Sequence, residues 1–483
     1  MCTQIRLANF FRLPSVLASI AILGLSACGS SDDESGVGYV QLYNASPNSP
    51  AIFLVVDKDD DDDFAEKTHS SVLYAQAGGY FEYDAATYDI DLSWNDGSSD
   101  LDVINESQVT VSTDVSHLIV IADDIAASEV LTFDIPIIDD DADDDNDLFN
   151  LRLINMHNYS GGVDVYLSKA NETFNEAVLF GQLAYKEMAE NTKYDQDDYV
   201  FYLTASGSSE VLYQSEEIAF VYPSQYLLII RANSGPGDSP FTLDYIAKST
   251  GATEFQDADS SAEFRVYNGL TEHYLLPKYA NIFNLYINGI DETAEIASLS
   301  FGEFSQRISK DFGDYSLDLT IPETGEVIVK NHLMTLNSGS DKTVFFYTKE
   351  EDISEDDDEE ELEITLNSLV VNNSNRDSFY DHQVNIINLI DDFTKVAVYF
   401  VESNETIDST GNDKQVPYVT PQSITLLNNT YSVYVVGEEN SSEMILVSTE
   451  LILDHESDDL FLILEEDANS STGYKLKFSK QAE

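Results

Sequence analysis

Three runs of acidic residues could do chemistry as groups of side chains. They occupy positions 57–63 (DKDDDDD), 139–147 (DDDADDDND) and 350–363 (EEDISEDDDEEELE). Ca²⁺ prefers six to eight oxygen ligands, so a cluster of carboxylates could hold it. The alternative for each run is a solvated loop or linker whose charges repel one another.

The first acidic run has part of the spacing of a calcium-binding loop. Asp57, Asp59 and Asp61 alternate as the ligands of an EF-hand do, and Asp63 is a further candidate. The EF-hand pattern then fails, because an aspartate stands where glycine is required and a threonine where the bidentate glutamate belongs. Ca²⁺ is therefore the one cofactor that the sequence suggests, and it competes with the solvated-loop interpretation.

Signals of catalysis are weak in this sequence. The seven histidines are scattered and share no position in the repeats described below, and no Gly-x-Ser-x-Gly elbow occurs. Pairs of carboxylates are uninformative, since the chain has 89 acidic residues. We therefore expect a protein that is not an enzyme, and a hydrolase is the remote alternative.

The amino-terminal segment resembles the signal peptide of a bacterial lipoprotein. Arg6 and Arg12 precede a short apolar stretch that ends in Leu-Ser-Ala-Cys at Cys28. The resemblance implies cleavage before Cys28, lipid attachment to its thiol and acylation, for example by palmitate, of the new amino terminus. No aspartate follows Cys28, so the expected destination is the outer membrane, facing either the periplasm or the medium.

The charge balance excludes whole classes of partner. With 23 basic residues and 89 acidic ones, the formal net charge is −66. Nucleic acids and anionic lipid surfaces need a basic face, so neither is an expected partner. The expected contact with a membrane is made through the lipid anchor alone.

A strand-like pattern that ends in asparagine occurs four times. Each copy reads apolar, polar, apolar, apolar, Asn, and the asparagines are separated by 111, 113 and 120 residues. They are Asn44, Asn155, Asn268 and Asn388. A tyrosine that opens an alternating run follows each asparagine after 43 to 47 residues. These tyrosines are Tyr88, Tyr199, Tyr315 and Tyr431.

The repeats predict an all-β protein with four tandem antiparallel β-sandwich domains. The runs are short, period-two and rich in β-branched and aromatic residues, and Gly, Pro, Asn and Asp turns separate them. The expected role of the tyrosines is core packing or a tyrosine-corner hydrogen bond. One brief stretch, Ala184 to Glu190, is helix-like. The predicted organisation is a signal peptide (1–27), an acidic tether (28–38), repeat one (39–138), an acidic linker (139–147), repeat two (148–258), repeat three (259–376, with an acidic loop at 350–363) and repeat four (377–483).

The first repeat resembles a known bacterial family, the domain-of-unknown-function family 4397. The stretches YVQLYNASPNSPAIFLVVD and LYAQAGGYFEYDAATYDIDL carry the resemblance. Repeats two to four keep the asparagine and the strands but lose the Ser-Pro that follows it. The resemblance implies an immunoglobulin-like fold in an extracytoplasmic protein, and it brings no catalytic residues.

Two functions remain open from the sequence. The first is binding or adhesion, in which the β-sandwiches contact a polysaccharide, a protein or a surface. The second is a structural spacer of the cell envelope with no specific ligand. Binding predicts clustered exposed aromatic residues in some loop, for which 74–83 and 273–279 are the candidates, whereas a spacer predicts polar loops throughout.

Overall fold

The computed structural model describes residues 36–58, 61, 63–138, 147–290, 293–352, 362–439 and 441–482. Within these ranges the regular structure consists of β-strands and one 3-10 helix at Ile125–Ala127. The helix-like stretch Ala184 to Glu190 forms no helix, because it is a turn followed by the two-residue strand Glu187–Met188. Lys186 lies in that turn with a φ of 66°, which a right-handed helix does not allow.

The strands form four sandwiches in chain order. Repeat one contains β1 (Val37–Asn44), β2 (Phe53–Asp57), β3 (Lys67–Thr68), β4 (Phe81–Asp84), β5 (Thr87–Trp94), β6 (Asp102–Thr110), β7 (Val115–Ala122) and β8 (Glu129–Pro136). Repeat two contains β9 (Leu148–Asn155), β10 (Val163–Lys169), β11 (Val178–Leu183), β12 (Glu187–Met188), β13 (Thr192–Asp195), β14 (Asp197–Ala205), β15 (Val211–Gln214), β16 (Ile218–Phe220), β17 (Gln225–Ala232), β18 (Phe241–Ile246) and β19 (Ala252–Phe255).

The second half of the chain repeats this arrangement. Repeat three contains β20 (Ala262–Gly269), β21 (Ile282–Ile287), β22 (Ile296–Ser300), β23 (Ile308–Lys310), β24 (Gly313–Thr320), β25 (Val327–Leu336), β26 (Asp341–Asp352) and β27 (Leu362–Asn372). Repeat four contains β28 (Asp381–Asn388), β29 (Lys395–Val401), β30 (Asp413–Pro417), β31 (Gln422–Leu427), β32 (Asn429–Glu439), β33 (Ser442–Leu453), β34 (Leu460–Glu466) and β35 (Tyr474–Lys480). The predicted all-β sandwich fold is confirmed.

Each sandwich has an inner sheet, which contains the first strand of the repeat, and an outer sheet. In repeat one the strand order is β4-β1-β7-β8 in the inner sheet and β3-β2-β5-β6 in the outer sheet. The inner sheet departs from the antiparallel expectation in one place, since β1 and β7 run parallel. The same parallel pair recurs in the other repeats as β9 with β17, β20 with β26 and β28 with β34.

Every repeat has its own hydrophobic core between its two sheets. In repeat one, for example, Val40 and Leu42 of β1 meet Leu54 and Val56 of β2, all at most 1% exposed. Alternate residues of each strand supply such cores, as a half-buried sheet requires. The cores explain the period-two pattern of the sequence but not the continuous apolar runs such as HLIVIA in β7.

The continuous apolar runs are explained by contacts between repeats. The inner sheets of repeats one and two pack face to face, and a second hydrophobic cluster lies between them, formed by Tyr43, Leu118 and Val120 against Ile154 and Ile229. The inner sheets of repeats three and four do the same. An inner sheet that is buried on both faces is apolar at successive positions, as β7 is.

Candidate functional site

The described part of the first acidic loop does not assemble a metal site. Asp57 ends β2, and Asp61 accepts a hydrogen bond from Lys58 at 2.9 Å and another from the Asp63 backbone at 3.2 Å. The Lys58 ammonium lowers the pKa of the Asp61 carboxyl. Asp59 lies outside the described residues. In the described part of the chain, no group of three or more Asp, Glu, His or Cys side chains could hold a metal ion.

The four repeat asparagines are buried and tie the first strand of each repeat to its loops. Each is 0% exposed, and each side-chain oxygen accepts a hydrogen bond from the backbone nitrogen two residues on, at 3.0 Å. Each side-chain nitrogen donates to a backbone carbonyl further along the repeat: Val72, Leu183, Leu299 and Val416, at 2.9 to 3.3 Å. The asparagines therefore act in structure, and none is exposed to solvent.

The four repeat tyrosines make equivalent contacts. Each hydroxyl donates to the backbone carbonyl of the residue four positions earlier, at 2.7 to 3.0 Å, as in a tyrosine corner. Tyr88, Tyr199 and Tyr431 are buried, while Tyr315 is half-buried. All four tyrosines therefore have a structural role in their sandwiches.

Paired buried tyrosine–carboxylate contacts join the repeats, and they were not predicted from the sequence. Tyr43 of repeat one donates to Asp244 of repeat two at 2.6 Å, and Arg231 donates to the same carboxylate at 2.7 Å. Likewise Tyr267 of repeat three donates to Glu465 of repeat four at 2.5 Å. Burial raises the pKa of both tyrosines, so their hydroxyls stay protonated donors. A sequence signal existed, because the residue before the repeat asparagine alternates Tyr, Ile, Tyr, Ile.

The two loops proposed to carry exposed aromatic residues differ from one another. In the first, Tyr80 stacks on Tyr39 with ring centroids 4.6 Å apart, and Tyr74 lies under the Arg231 guanidinium at 5.7 Å. In the second, Tyr274 is 67% exposed, while Tyr279 is buried. Neither loop presents a cluster of exposed rings.

A large concave surface lies between repeats one and four. It has a volume of about 1210 Å³. The side from repeat one includes Phe53, Leu73, Tyr74, Trp94, Asn95 and Asp96, and the other side includes Arg376 at the end of repeat three with Gln383, Glu402, Glu405, Asn412 and Asn428 of repeat four. We call it the 1–4 cleft. Its walls come from segments some 280 to 380 residues apart in the chain, which is why sequence patterns did not reveal it.

An aromatic contact closes one end of the 1–4 cleft. Trp94, the only tryptophan of the chain, ends β5 and stacks on Tyr380 with ring centroids 4.8 Å apart and an interplanar angle of 25°. Leu427 of repeat four packs against the core of repeat one beside it. This junction holds the two walls together.

The charges of the 1–4 cleft are mainly negative. Arg376 is held by Asp381 at 3.0 Å and by Asp459 at 3.3 Å. Burial disfavours its positive charge, but these two carboxylates outweigh that effect and raise the pKa of Arg376. Asp96, Glu402 and Glu405 form no ion pair with any described residue, so the uncompensated charge of the cleft is acidic.

Comparison with protein families gives one match. Residues 38–166 match the family described as Domain of unknown function (DUF4397). The matched range comprises repeat one and continues into β10 of repeat two. The family resemblance predicted from the sequence is confirmed over these residues. No curated protein sequence matches the chain.

Solved structures give distant similarities only. The Bacillus anthracis TIE protein is 8% identical with a TM-score of 0.14, over 91% of this chain and 75% of that one. A candidate adhesin from Bacteroides ovatus is 11% identical with a TM-score of 0.14, over 45% of this chain and 95% of that one. A leucine-rich repeat protein from Bacteroides thetaiotaomicron is 14% identical with a TM-score of 0.12, over 40% and 25%. Among the described residues, no helix is long and apolar enough to cross a bilayer.

Proposed function

We propose that the chain is a non-enzymatic, lipid-anchored protein of the bacterial outer membrane that binds a neutral polysaccharide in the 1–4 cleft. The cleft is the single observation that carries this proposal. Its volume of about 1210 Å³ exceeds the ~300–1,000 Å³ typical of sites for small ligands, so an extended chain molecule would fit.

The chemistry of the cleft walls favours a neutral sugar chain. Asn412 carries a carboxamide that can both donate and accept hydrogen bonds as sugar hydroxyls require, and Asn95 Nδ2 is a further donor, since only its oxygen bonds to Gly97 N. Phe53 and Tyr74 supply apolar ring surface for the carbon faces of sugar rings. The acidic charge of the cleft repels polyanions, which argues against acidic polysaccharides as ligands.

The packing of the repeats is also relevant to the alternative function, an envelope spacer. A spacer gains length when its units are joined end to end. Here the inner sheets pack face to face in two pairs, and repeat one contacts repeat four at Trp94 and Tyr380. This side-by-side packing shortens the reach of the array and creates the cleft, so it supports binding over spacing.

The cleft can be tested with the natural fluorescence of Trp94 in a soluble chain that begins at Gly29. Titration with a neutral glucan such as dextran or laminarin is expected to change the Trp94 emission saturably, whereas the polyanion alginate is not. Replacing Leu73, which is 56% exposed in the cleft, with glutamate is expected to weaken binding at least tenfold. The matched control is Leu333→Glu, because Leu333 is 67% exposed in repeat three outside the cleft.

The proposed cleft site would be wrong if Leu73→Glu and Leu333→Glu bound the glucan equally well. Binding of no neutral glycan on an array, together with unchanged Trp94 emission, would favour the spacer. Preferential binding of alginate would contradict the charge argument.

The anchor is tested separately through Cys28, which lies outside the described residues. Cys28→Ser removes the only thiol that could carry lipid after cleavage, so the variant is expected to leave the outer-membrane fraction. The measurement is cell fractionation with metabolic labelling by a palmitate analogue, and Cys2→Ser is the matched control because Cys2 precedes the expected cleavage site. Continued membrane association of Cys28→Ser would show that the lipoprotein interpretation is wrong.

A further inference from the structure

A second, smaller cavity lies between repeats one and two, away from the 1–4 cleft. It measures about 50 Å³, and its polar lining consists of Gln41, Tyr80 and Ser116 from repeat one with Arg152, Asn191, Gln225 and Lys248 from repeat two. By this measure one water molecule needs ~10–15 Å³, so the cavity has room for a group of several atoms. We call it the Arg152 cavity.

Three polar atoms in the lining residues are sealed from solvent without a hydrogen-bond partner. They are Tyr80 Oη, Arg152 Nε and Asn191 Oδ1. Ser116 lies in the same wall as Tyr80, but the two hydroxyls form no well-shaped hydrogen bond. Buried polar groups are nearly always satisfied, so the two donors of this set, Tyr80 Oη and Arg152 Nε, indicate a missing acceptor, whereas Asn191 Oδ1 needs a donor and is not evidence for an anion.

The charge of Arg152 is the most unusual of these features. No carboxylate of the described residues lies within ion-pair distance of its guanidinium, and the acidic residues at 139–146 lie outside the described part of the chain. Burial lowers the pKa of Arg152, and the more distant Glu190 only partly opposes that effect. Arg231, in the same inner sheet, has Asp244 at 2.7 Å as its partner. A half-buried guanidinium without an anion is costly to the folded state.

The equivalent place between repeats three and four is filled. Arg152 pairs with Leu227 in the inner sheet of repeat two, as Asn385 pairs with Phe461 in repeat four. There the carboxamide of Gln481 occupies the interface and is 0% exposed. Its Oε1 accepts from Asn385 Nδ2 at 3.2 Å and from the Ser374 nitrogen at 2.9 Å.

The corresponding residue between repeats one and two does not fill the space. The strand registers align Gln481 with Lys248, which lines the mouth of the Arg152 cavity with an exposed side chain. Between repeats three and four, the side-chain oxygen of Gln481 therefore accepts a hydrogen bond from Asn385. Between repeats one and two, the Arg152 guanidinium stands in the asparagine's place, and its Nε has no hydrogen-bond acceptor among the described residues.

We propose that the Arg152 cavity binds a short-chain carboxylate anion, such as acetate. Two carboxylate oxygens can accept from Arg152 and from the Tyr80 hydroxyl, and a guanidinium binds a carboxylate with charge-assisted hydrogen bonds. The apolar part of the lining, which includes Ile135, Ile137 and Leu227, contacts the methyl end. A carboxylate group on a larger molecule has the same chemistry. The rest of that molecule would then have to extend out of the cavity through the mouth beside Lys248.

The test is calorimetric titration of the soluble chain from Gly29 with sodium acetate at constant ionic strength. One saturable site per chain is expected, and Arg152→Met is expected to weaken it at least tenfold. Tyr80→Phe removes one hydrogen bond and is expected to weaken binding less, which keeps the test valid if Arg152→Met folds poorly. Lys395→Met, an exposed change of equal charge in repeat four, is the matched control and is expected to bind normally.

Parallel titrations with galacturonate, a tripeptide with a free carboxyl terminus and chloride distinguish the sources. Tighter binding of galacturonate or of the peptide would assign the site to the carboxylate of a larger molecule. Equal responses to chloride and acetate would contradict a carboxylate site. Absence of any saturable acetate binding would show that the cavity holds water only and would overturn the proposal, while leaving the 1–4 cleft unaffected.

Discussion

Replacing Asp244 with alanine is expected to lower the free energy of unfolding by about 3–5 kcal/mol, the usual cost of removing one partner from a buried ion pair. The carboxylate lies between two donors from different repeats, Tyr43 and Arg231. All three residues are at most 3% exposed. Without the carboxylate, the Arg231 guanidinium stays in the interface and keeps Glu254, a partly exposed residue on β19, as its ion-pair partner and the Ala232 carbonyl as a neutral acceptor.

The measurement is urea denaturation followed by far-UV circular dichroism. Glu210→Ala is the matched control, since it also removes one acidic charge from repeat two but from an exposed position, and it is expected to change stability by less than ~0.5 kcal/mol. Combining Asp244→Ala with Arg231→Met should recover part of the loss, because the double variant leaves no unpaired buried charge. A double variant that is additive would contradict the ion-pair explanation.

The asymmetry between odd and even repeats follows from these contacts. Tyr43 and Tyr267 each extend from an odd repeat into the next even repeat, where a buried carboxylate receives the hydroxyl. The even repeats have Ile154 and Ile387 in the same place, and these pack in the apolar part of the interface. The structural unit is therefore a pair of repeats with two face-to-face inner sheets, and the chain contains two such units.

The β-sandwich fold of each repeat could be predicted from the sequence. Apolar and polar residues alternate along its strands, and the asparagine and tyrosine recur at a similar spacing in all four repeats. The bond from the Ser46 nitrogen to Asn44 Oδ1 is of a kind that a strand-ending asparagine commonly forms with the backbone that follows it. The helix-like composition of residues 184–190 does not produce a helix, because tertiary contacts readily override intrinsic helix propensity. There the backbone must turn at Lys186, whose nitrogen donates to the Asn155 carbonyl at 2.7 Å.

The contacts between repeats were harder to predict. The run HLIVIA in β7 could have indicated a sheet buried on both faces, since one-sided burial alternates apolar with polar residues. Such a run does not show which repeat packs on the second face of the sheet, because any apolar sheet could bury that face. The 1–4 cleft and the Arg152 cavity depend on that pairing, so both lay beyond sequence patterns.

The second large effect is expected at Asp459, which supports one wall of the 1–4 cleft. This carboxylate is 1% exposed and accepts four hydrogen bonds, from Ser374 Oγ at 2.6 Å, Gln383 N at 2.7 Å, Ser378 Oγ at 2.8 Å and Arg376 Nη2 at 3.3 Å. Asp459→Ala would leave these donors unsatisfied and Arg376 with one ion-pair partner in place of two. We expect a loss of about 3–5 kcal/mol in the free energy of unfolding.

Asp458→Ala is a close control because the neighbouring carboxylate forms only a half-exposed pair with Lys480, which is worth ~1 kcal/mol or less. The stacking of Trp94 on Tyr380, four residues from Arg376, gives a local readout of the cleft wall. In Asp459→Ala, the Trp94 emission should shift to longer wavelength at a lower urea concentration than the circular dichroism signal changes. Coincident transitions would mean that Asp459 stabilises repeat four as a whole and does not specifically hold the wall, because the junction would then open only when the entire fold is lost.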